Sequence, residues 1–433
     1  MTRPTLARLT ALLAVTAILI GACSPTAPSP SPSASAEGTS APSASPAPTD
    51  DTASPAPSGE AEAIFDAIEA QVLELRGLDP VDVPRTTIDE AELATRTAAD
   101  FDKDNPEAYV LAIERLYKAL GLMPEADSLR DLYLELLASQ VAGFYDPEAK
   151  ELFVVSRSGQ INGADKITFA HEYGHALQDA NFDIFKSPEE LRDQSDQGAA
   201  RAALYEGDAT LLMLFWAQGG NMTPEEIQEY IEAGSDPESL AILERMPQIL
   251  VQGLLFPYES GAQFVLPIQT ADGWAGVDAL YEQPPTTTEQ VLHPEKYEAG
   301  EDAVEVDIPD DVAAQMGDGW SVALEDSWGE FQTKVWLTES GVPVEAASEA
   351  AAGWGGDRLV VLSGPDDAWA VALDTTWDTT ADADAFRDAA ETAVATLDGE
   401  ASVVGSAEDV TILVGSDPDV LLSLDRIFGD TGA

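Results

Sequence analysis

Apolar residues recur at helical spacing in three stretches that follow residue 60, near 60–76, 105–120 and 126–140. In the first, Ile64, Ile68, Val72 and Leu75 keep close to the period that lines up one face of a helix. The pattern then changes. Val141 to Ser156 (VAGFYDPEAKELFVVS) reads as two short strands either side of an Asp146-Pro147 turn, the second over Leu152–Val155. Helical spacing returns over Lys166–Asp179, where Ala170, Gly174 and Leu177 form a stripe at i, i+4 and i+7. Gln197–Trp216 is a second such helix, apolar at Ala203, Leu204, Gly207, Leu211 and Leu214 but interrupted by Glu206. Residues 223–282 continue as helices, with a kink predicted at Phe256-Pro257-Tyr258-Glu259 and Gly261 and with Trp274 in the core. In PPTTTEQVLHPEKY, 284–297, Thr286 and Glu289 make a capping box that opens a short helix, which Pro294 closes after His293.

The acidic, proline-punctuated run Glu301–Asp311 marks a boundary. Beyond it, 330–340 and 383–397 suit helices, while 358–362, 369–373 and 410–414 suit strands. The glycines of GWGGDR, 353–358, are expected to shape a turn before the first of these strands. The fold class this predicts is α+β. A mostly helical domain with a small sheet or hairpin spans 60–300, and a small α+β accessory region spans 301–433.

The first 59 residues belong to neither part. Arg3 and Arg8 precede an apolar run, Leu12–Ile20, that is too short to span a bilayer comfortably. Ile20-Gly21-Ala22-Cys23 resembles the bacterial lipobox. That resemblance implies cleavage before Cys23, lipidation of its thiol, and a protein held on the extracytoplasmic face of a bacterial cell membrane. An ordinary secretory signal with an incidental cysteine is the alternative. Ser24–Gly59 is Ser/Pro/Ala/Thr-rich and cannot bury enough surface to offset its ordering entropy, so it reads as a disordered tether. At about 3.1 Å per residue it could reach on the order of 100 Å.

Charge narrows the partners. With 79 acidic against 21 basic residues the net charge is −58, a field that repels nucleic acid and anionic headgroups. Cys23 is the only cysteine, which rules out an intrachain disulfide and a thiolate metal site.

Of the three histidines in the chain, two fall in His171-Glu172-Tyr173-Gly174-His175, an H-E-x-x-H motif. Four residues apart on a helix, the two imidazoles leave from one face and suit two corners of a tetrahedral zinc site. Glu172 stands where it can take a proton from a water held by the same ion. The metzincin continuation would need Gly at 178 and His at 181, but these are Gln178 and Asn181. A carboxylate is then the economical third ligand, and Glu206 needs a cation partner on its core-like helix.

HEYGH followed by a helical Glu some thirty residues on resembles the gluzincin arrangement, the His-His-Glu zinc peptidases that include thermolysin. VAGFYDP, AHEYGHALQD, ALYEGDAT, FPYESGAQF and PPTTTEQVLHPEKY further resemble a set of uncharacterised bacterial exported proteins built around this zincin core. The resemblance implies that one Zn2+ is bound by His171, His175 and Glu206, and that Glu172 is the general base. It also implies an edge strand above the motif helix that holds substrate extended; 151–156 is a candidate, with an ordinary core hairpin as the alternative. Thermolysin-type proteins orient a histidine with an Asp four residues after the ligand Glu, where this chain has Thr210. Asp179 or Asp208 can supply that carboxylate instead, although Asp208 can equally pair with Arg201 or face solvent. Gluzincins often bring a late His or Tyr over the zinc to hold the oxyanion; His293 is the candidate, with Tyr297 and Tyr145 behind it. The function this predicts is a lipid-anchored zinc peptidase with a peptide or protein substrate. The rivals are a binding lipoprotein with a degenerate peptidase core and a zinc amidase acting on cell-wall material.

Overall fold

A computed structural model of the chain describes residues 59–155, 161–182 and 191–429. The signal segment, Cys23 and nearly all of the tether lie outside them, as does Ser156. Among the described residues no helix is long and apolar enough to cross a membrane. The fold is α+β and mostly helical, with one small sheet in the first part and a second in the last.

Helix α1 (Gly59–Arg76) buries Phe65, Ile68 and Val72 and leads to strand β1 (Arg85–Ile88). Helix α2 (Glu90–Asp104) escaped the sequence pattern because it is largely polar and buries only Leu93, Thr97 and Phe101. Helices α3 (Glu107–Ala119) and α4 (Leu129–Gln140) stand where the periodicity put them. Strands β2 (Gly143–Asp146) and β3 (Glu151–Val155) form the expected hairpin. Their sheet runs β1-β3-β2, with β3 parallel to β1 and antiparallel to β2. The strand expected to offer a free edge is therefore the central one, paired on both sides, and β2 is an edge instead. The Val155 N–H donates to Ala142 O at 3.0 Å, which sets the alternation along the hairpin. Phe144 and Asp146 pair with β3, while Gly143 and Tyr145 turn their backbone groups outward.

Helix α5 (Gly163–Phe182) carries the motif and is buried on every side from Ile167 to Asp179. The expected stripe is thus only one of its covered faces. Phe169 stacks on Phe65 of α1 at 4.3 Å. Helix α6 (Ser195–Trp216) lies across it. Two short helices, α7 (Pro224–Ala233) and α8 (Pro237–Arg245), precede the long α9 (Gln248–Leu280). Pro257 and Pro267 lie inside α9, yet the backbone leaves helical geometry at Gly273 (φ 67°), not at the predicted 256–261. Trp274 just beyond is half-buried, its ring under the Arg76 guanidinium at 4.8 Å.

Two glycines set how closely α9 approaches α6. A Cβ on Gly261 would sit 2.0 Å from Ala203 O, and one on Gly207 would sit 2.3 Å from the Gly261 carbonyl carbon. The two backbones touch there, so a methyl group must push the helices apart. Gly261→Ala is expected to lower thermal stability by about 1–3 kcal/mol or more, the usual cost of overpacking a core. A melting temperature equal to that of the wild type would refute the contact.

Helix α10 (Thr288–Leu292) is capped one residue later than the sequence suggested: Thr287, not Thr286, accepts the Gln290 N–H. Pro294 ends it after His293 and at once opens α11 (Pro294–Ala299). The last part comprises α12 (Val312–Met316), β4 (Ser321–Asp326), α13 (Gly329–Glu339), α14 (Val344–Ala351), β5 (Trp354–Ser363), β6 (Trp369–Trp377), α15 (Thr380–Val394), β7 (Glu400–Val404), β8 (Asp409–Gly415) and α16 (Pro418–Phe428). Its strands form an antiparallel sheet in the order β4-β5-β6-β8-β7. Trp328, Phe331, Leu359 and Leu373 belong to the same hydrophobic core as Leu204 and Phe256, so packing is continuous across the 301–311 boundary. Of the glycines of GWGGDR, Gly353 does lie in the turn before β5, but Gly355 and Gly356 lie in the strand itself, where a Cβ on Gly356 would meet Val304 O at 2.2 Å.

Buried carboxyls line this junction. Asp196 accepts from the Thr288 N–H and hydroxyl, and Asp326 from the Ser195 N–H and hydroxyl. Burial nevertheless pushes both up to about 7 from 3.8. The folded chain therefore holds protons that the unfolded chain has released. That contribution to stability is present below the unfolded pKa and lost as pH rises through about 7. The melting temperature is expected to fall between pH 5 and pH 8, and Asp326→Asn is expected to flatten the slope. An unchanged slope in that variant would show that this carboxyl is not responsible.

Candidate metal centre

Helix α5 turns Thr168, His171, Glu172, His175 and Gln178 along one side, at helical spacing, toward α6 and β2. His171 and His175 are fully buried, and Glu206 of α6 is 3% exposed. The His171 and His175 Nε2 atoms lie 2.9 Å apart, and Glu206 Oε2 is 3.2 Å from each. The three atoms converge on one point, and together they can hold a metal ion. The set suits a small divalent cation: ligands about 2.0–2.1 Å from a tetrahedral ion stand roughly 3.3 Å apart, slightly wider than this triangle.

The cluster divides its charge unevenly. Burial works to raise Glu206, but His175 and the hydrogen bonds from both histidines overturn it and bring the carboxyl to about 2. Burial lowers His171 to about 4, helped by repulsion from His175. His175 goes the other way, to about 9, because the Glu206 carboxylate outweighs its burial. A positive charge between Glu206 and the histidines is what this arrangement calls for.

Glu172 is 1% exposed, and burial raises it to about 8. Its Oε2 accepts the outward N–H of Tyr145 on β2 at 2.9 Å. Its Oε1 has no hydrogen-bond partner. Gly143, also on β2, has no room for a side chain: a Cβ there would lie 2.8 Å from the Thr168 methyl and 3.8 Å from Glu172 Cγ. The edge strand is thus pressed against the motif helix at the carboxylate.

The two expected orienting carboxylates part company. Asp208 is fully buried and pairs with Arg76 rather than Arg201. It reaches His175 only through Gln178, which bonds Asp208 Oδ2 at 3.1 Å and His175 Nδ1 at 2.8 Å. Asp179 accepts the Tyr145 hydroxyl at 2.7 Å and pairs with Lys150, so its hydrogen bonds lead to the hairpin and not to a histidine. This also removes Tyr145 from the oxyanion candidates. Thr210 is fully buried, and its hydroxyl has no partner.

His293 does not join the site. Its Nε2 meets Glu330 at 2.9 Å, and the charges that raise its pKa are Glu330, Glu295 and Glu289. It lies between α10 and α11 and serves the junction with α13. Tyr297 donates its hydroxyl to Gln283 O. Besides Tyr205 of α6, whose ring lies 6.0 Å from that of His175, the cluster is faced by Tyr258 of α9, which the sequence offered only within a kink and the FPYESGAQF stretch. The Tyr258 ring lies 6.0 Å from that of His171. Burial raises its phenol well above the ordinary value, as do the negative charges of Glu206 and Glu172 and a hydrogen bond to Glu206. Its sequence signals were its place in the FPYESGAQF stretch and near Gly261, the close-approach glycine on α9. A second acidic group, Glu289, Glu301 and Asp378, encloses Lys296 Nζ at 2.6, 2.8 and 2.5 Å and is an ion-pair cluster.

An α+β chain with a buried His-His-Glu cluster is the class that fold and site define. A family profile described as a domain of unknown function (DUF8575) matches residues 321–422, the five-stranded part. No curated protein and no solved structure matches the chain.

Proposed function

We propose that the chain is a zinc-dependent peptidase of the HExxH-plus-Glu kind, held by a lipid anchor at Cys23 on the outer face of a cell membrane. One observation carries the reading: three ligand atoms converge beside a buried glutamate that has one oxygen anchored and the other free. Zinc held by His171, His175 and Glu206 would polarise a substrate carbonyl and lower the pKa of its bound water to about 7.

The chain's own residues do the rest. Glu172 accepts the proton of the attacking water at Oε1 and delivers it to the leaving amine. The Tyr145 N–H keeps the carboxylate from swinging away. The outward N–H and C=O of Gly143 on the β2 edge offer an extended peptide a strand to pair with. The phenol of Tyr258 is the donor for the developing oxyanion. Tyr258→Phe is expected to cut kcat by about 10²-fold with metal content unchanged. An unaltered kcat would remove Tyr258 from the chemistry.

The test of the reading is metal content together with cleavage of an unstructured peptide. Zinc equimolar with the chain, and cleavage lost on chelation and restored by zinc, is the expected result. Zinc without cleavage of peptides would leave a structural centre, or an amidase if cell-wall amides are cleaved instead. Failure to bind zinc would leave a binding lipoprotein.

A further inference from the structure

We infer that Gln178 is the positioning residue that decides which nitrogen of His175 faces the metal ligands, and that Asp208 sets Gln178 for this task. The inference rests on the zinc-site reading above. Gln178 is 1% exposed and makes three hydrogen bonds. Its Nε2 donates to Tyr205 O at 2.9 Å and to Asp208 Oδ2 at 3.1 Å. A backbone carbonyl and a carboxylate can only accept, so the amide NH2 must face them and Oε1 must face His175. Because Oε1 can only accept, the proton between it and His175 Nδ1, 2.8 Å away, belongs to the imidazole. Nε2, the nitrogen turned toward His171 and Glu206, is then the one that gives up its proton and offers its lone pair when a metal binds.

Flipping the amide would undo this. Oxygen would face two acceptors, and NH2 would meet Nδ1, which would drive the imidazole proton to Nε2. The orientation therefore depends on the two acceptors, Tyr205 O and Asp208 Oδ2, staying where they are, and the surroundings hold Asp208 in place. Arg76 reaches its two oxygens at 3.1 and 3.0 Å, and the Tyr281 hydroxyl donates at 2.7 Å. Arg76 is itself fixed by Asp278 at 2.6 Å and by the Trp274 ring. Groups from α1, α6 and the end of α9 thus converge on one side-chain amide of α5. His171 has no such side-chain relay, and its further hydrogen-bonding neighbour is the backbone at Ala209. The side-chain network thus serves His175 alone of the two histidines.

Zinc affinity, measured by competition with a chelator, tests this in the wild type, Gln178→Met, Asp208→Asn and the double variant Gln178→Glu with Asp208→Asn. The first two leave every ligand in place, and each is expected to weaken zinc binding by about 10–100-fold. The double variant moves the charge one step along. Its new carboxylate at position 178 can accept from His175 Nδ1 with one oxygen and from the amide at 208 with the other, so affinity should recover most of the loss. If Asp208→Asn does not fold, Gln178→Met carries the test, because it keeps the Arg76–Asp208 pair. Zinc bound as tightly by Gln178→Met as by the wild type would overturn the inference, and so would a double variant no tighter than Asp208→Asn. A wild type that binds no zinc would instead bring down the metal reading itself.

Discussion

Glu172→Gln is expected to slow peptide hydrolysis by about 10²–10⁴-fold, the range that a positioned general base supplies, while the protein keeps its full complement of metal. The substitution is close to silent for the structure. The amide oxygen can remain on the Tyr145 N–H, where Oε2 now accepts at 2.9 Å, and the NH2 group takes the place of the unpartnered Oε1. An amide in that place cannot take a proton, and nothing else about the site changes. Rate and metal content therefore need to be measured on one preparation. Activity within tenfold of the wild type would show that the proton goes elsewhere. Loss of both activity and metal would mean that Glu172 serves the ligand cluster rather than the reaction.

Glu206→Ala is expected to have the opposite signature. Metal content should fall close to zero, and activity with it. A catalytic zinc site needs three protein ligands, and the variant leaves two imidazoles whose Nε2 atoms face each other at 2.9 Å. Among the described residues no other carboxylate is grouped with the two histidines. Asp208 is committed to Arg76, Tyr281 and Gln178, and Glu172 is anchored by one oxygen to the Tyr145 N–H. The metal-free variant should also be less stable than the metal-free wild type, because the Glu206 carboxylate is what holds His175 up at about 9. Removing one partner of a buried charge pair commonly costs about 3–5 kcal/mol. Metal retained at wild-type affinity would show that the third ligand had been assigned to the wrong residue.

The two variants separate binding from chemistry because the relevant atoms belong to different elements. His171, Glu172 and His175 are local to one helix, so their spacing was open to direct reading: a helical period of 3.6 puts residues four apart on one face. Glu206 was legible for another reason. A lone carboxylate among Ala203, Leu204, Gly207 and Leu211 is too costly to bury without a positive partner, and the structure supplies that partner from α5. Most helices before residue 300 and the antiparallel hairpin were legible in the same way, from period and turn chemistry.

The failures fall where a position depends on elements far apart in the chain. His293 looked available because it was the only histidine left over, but Glu330, 37 residues away, holds its ring. Tyr258 gave little sign of its place beside the cluster, because the close glycine contact between α6 and α9 lies between separate elements. Strand β3 looked like an edge until β1, more than 60 residues earlier, paired with its far side. The glycines of β5 looked like turn residues, but a distant segment packs against them.

By itself, then, the sequence determined the α+β composition, the helix that carries the motif, and the chemical types gathered at the site. Those properties rest on local period, residue chemistry and the cost of burying charge. Only the tertiary structure decided which edge strand holds Glu172, which phenols stand beside the histidines, and how a carboxylate reaches His175 through an amide. Each of these depends on the distance between separate elements, and the close packing of backbone and side chains fixes that distance only when the whole chain has folded.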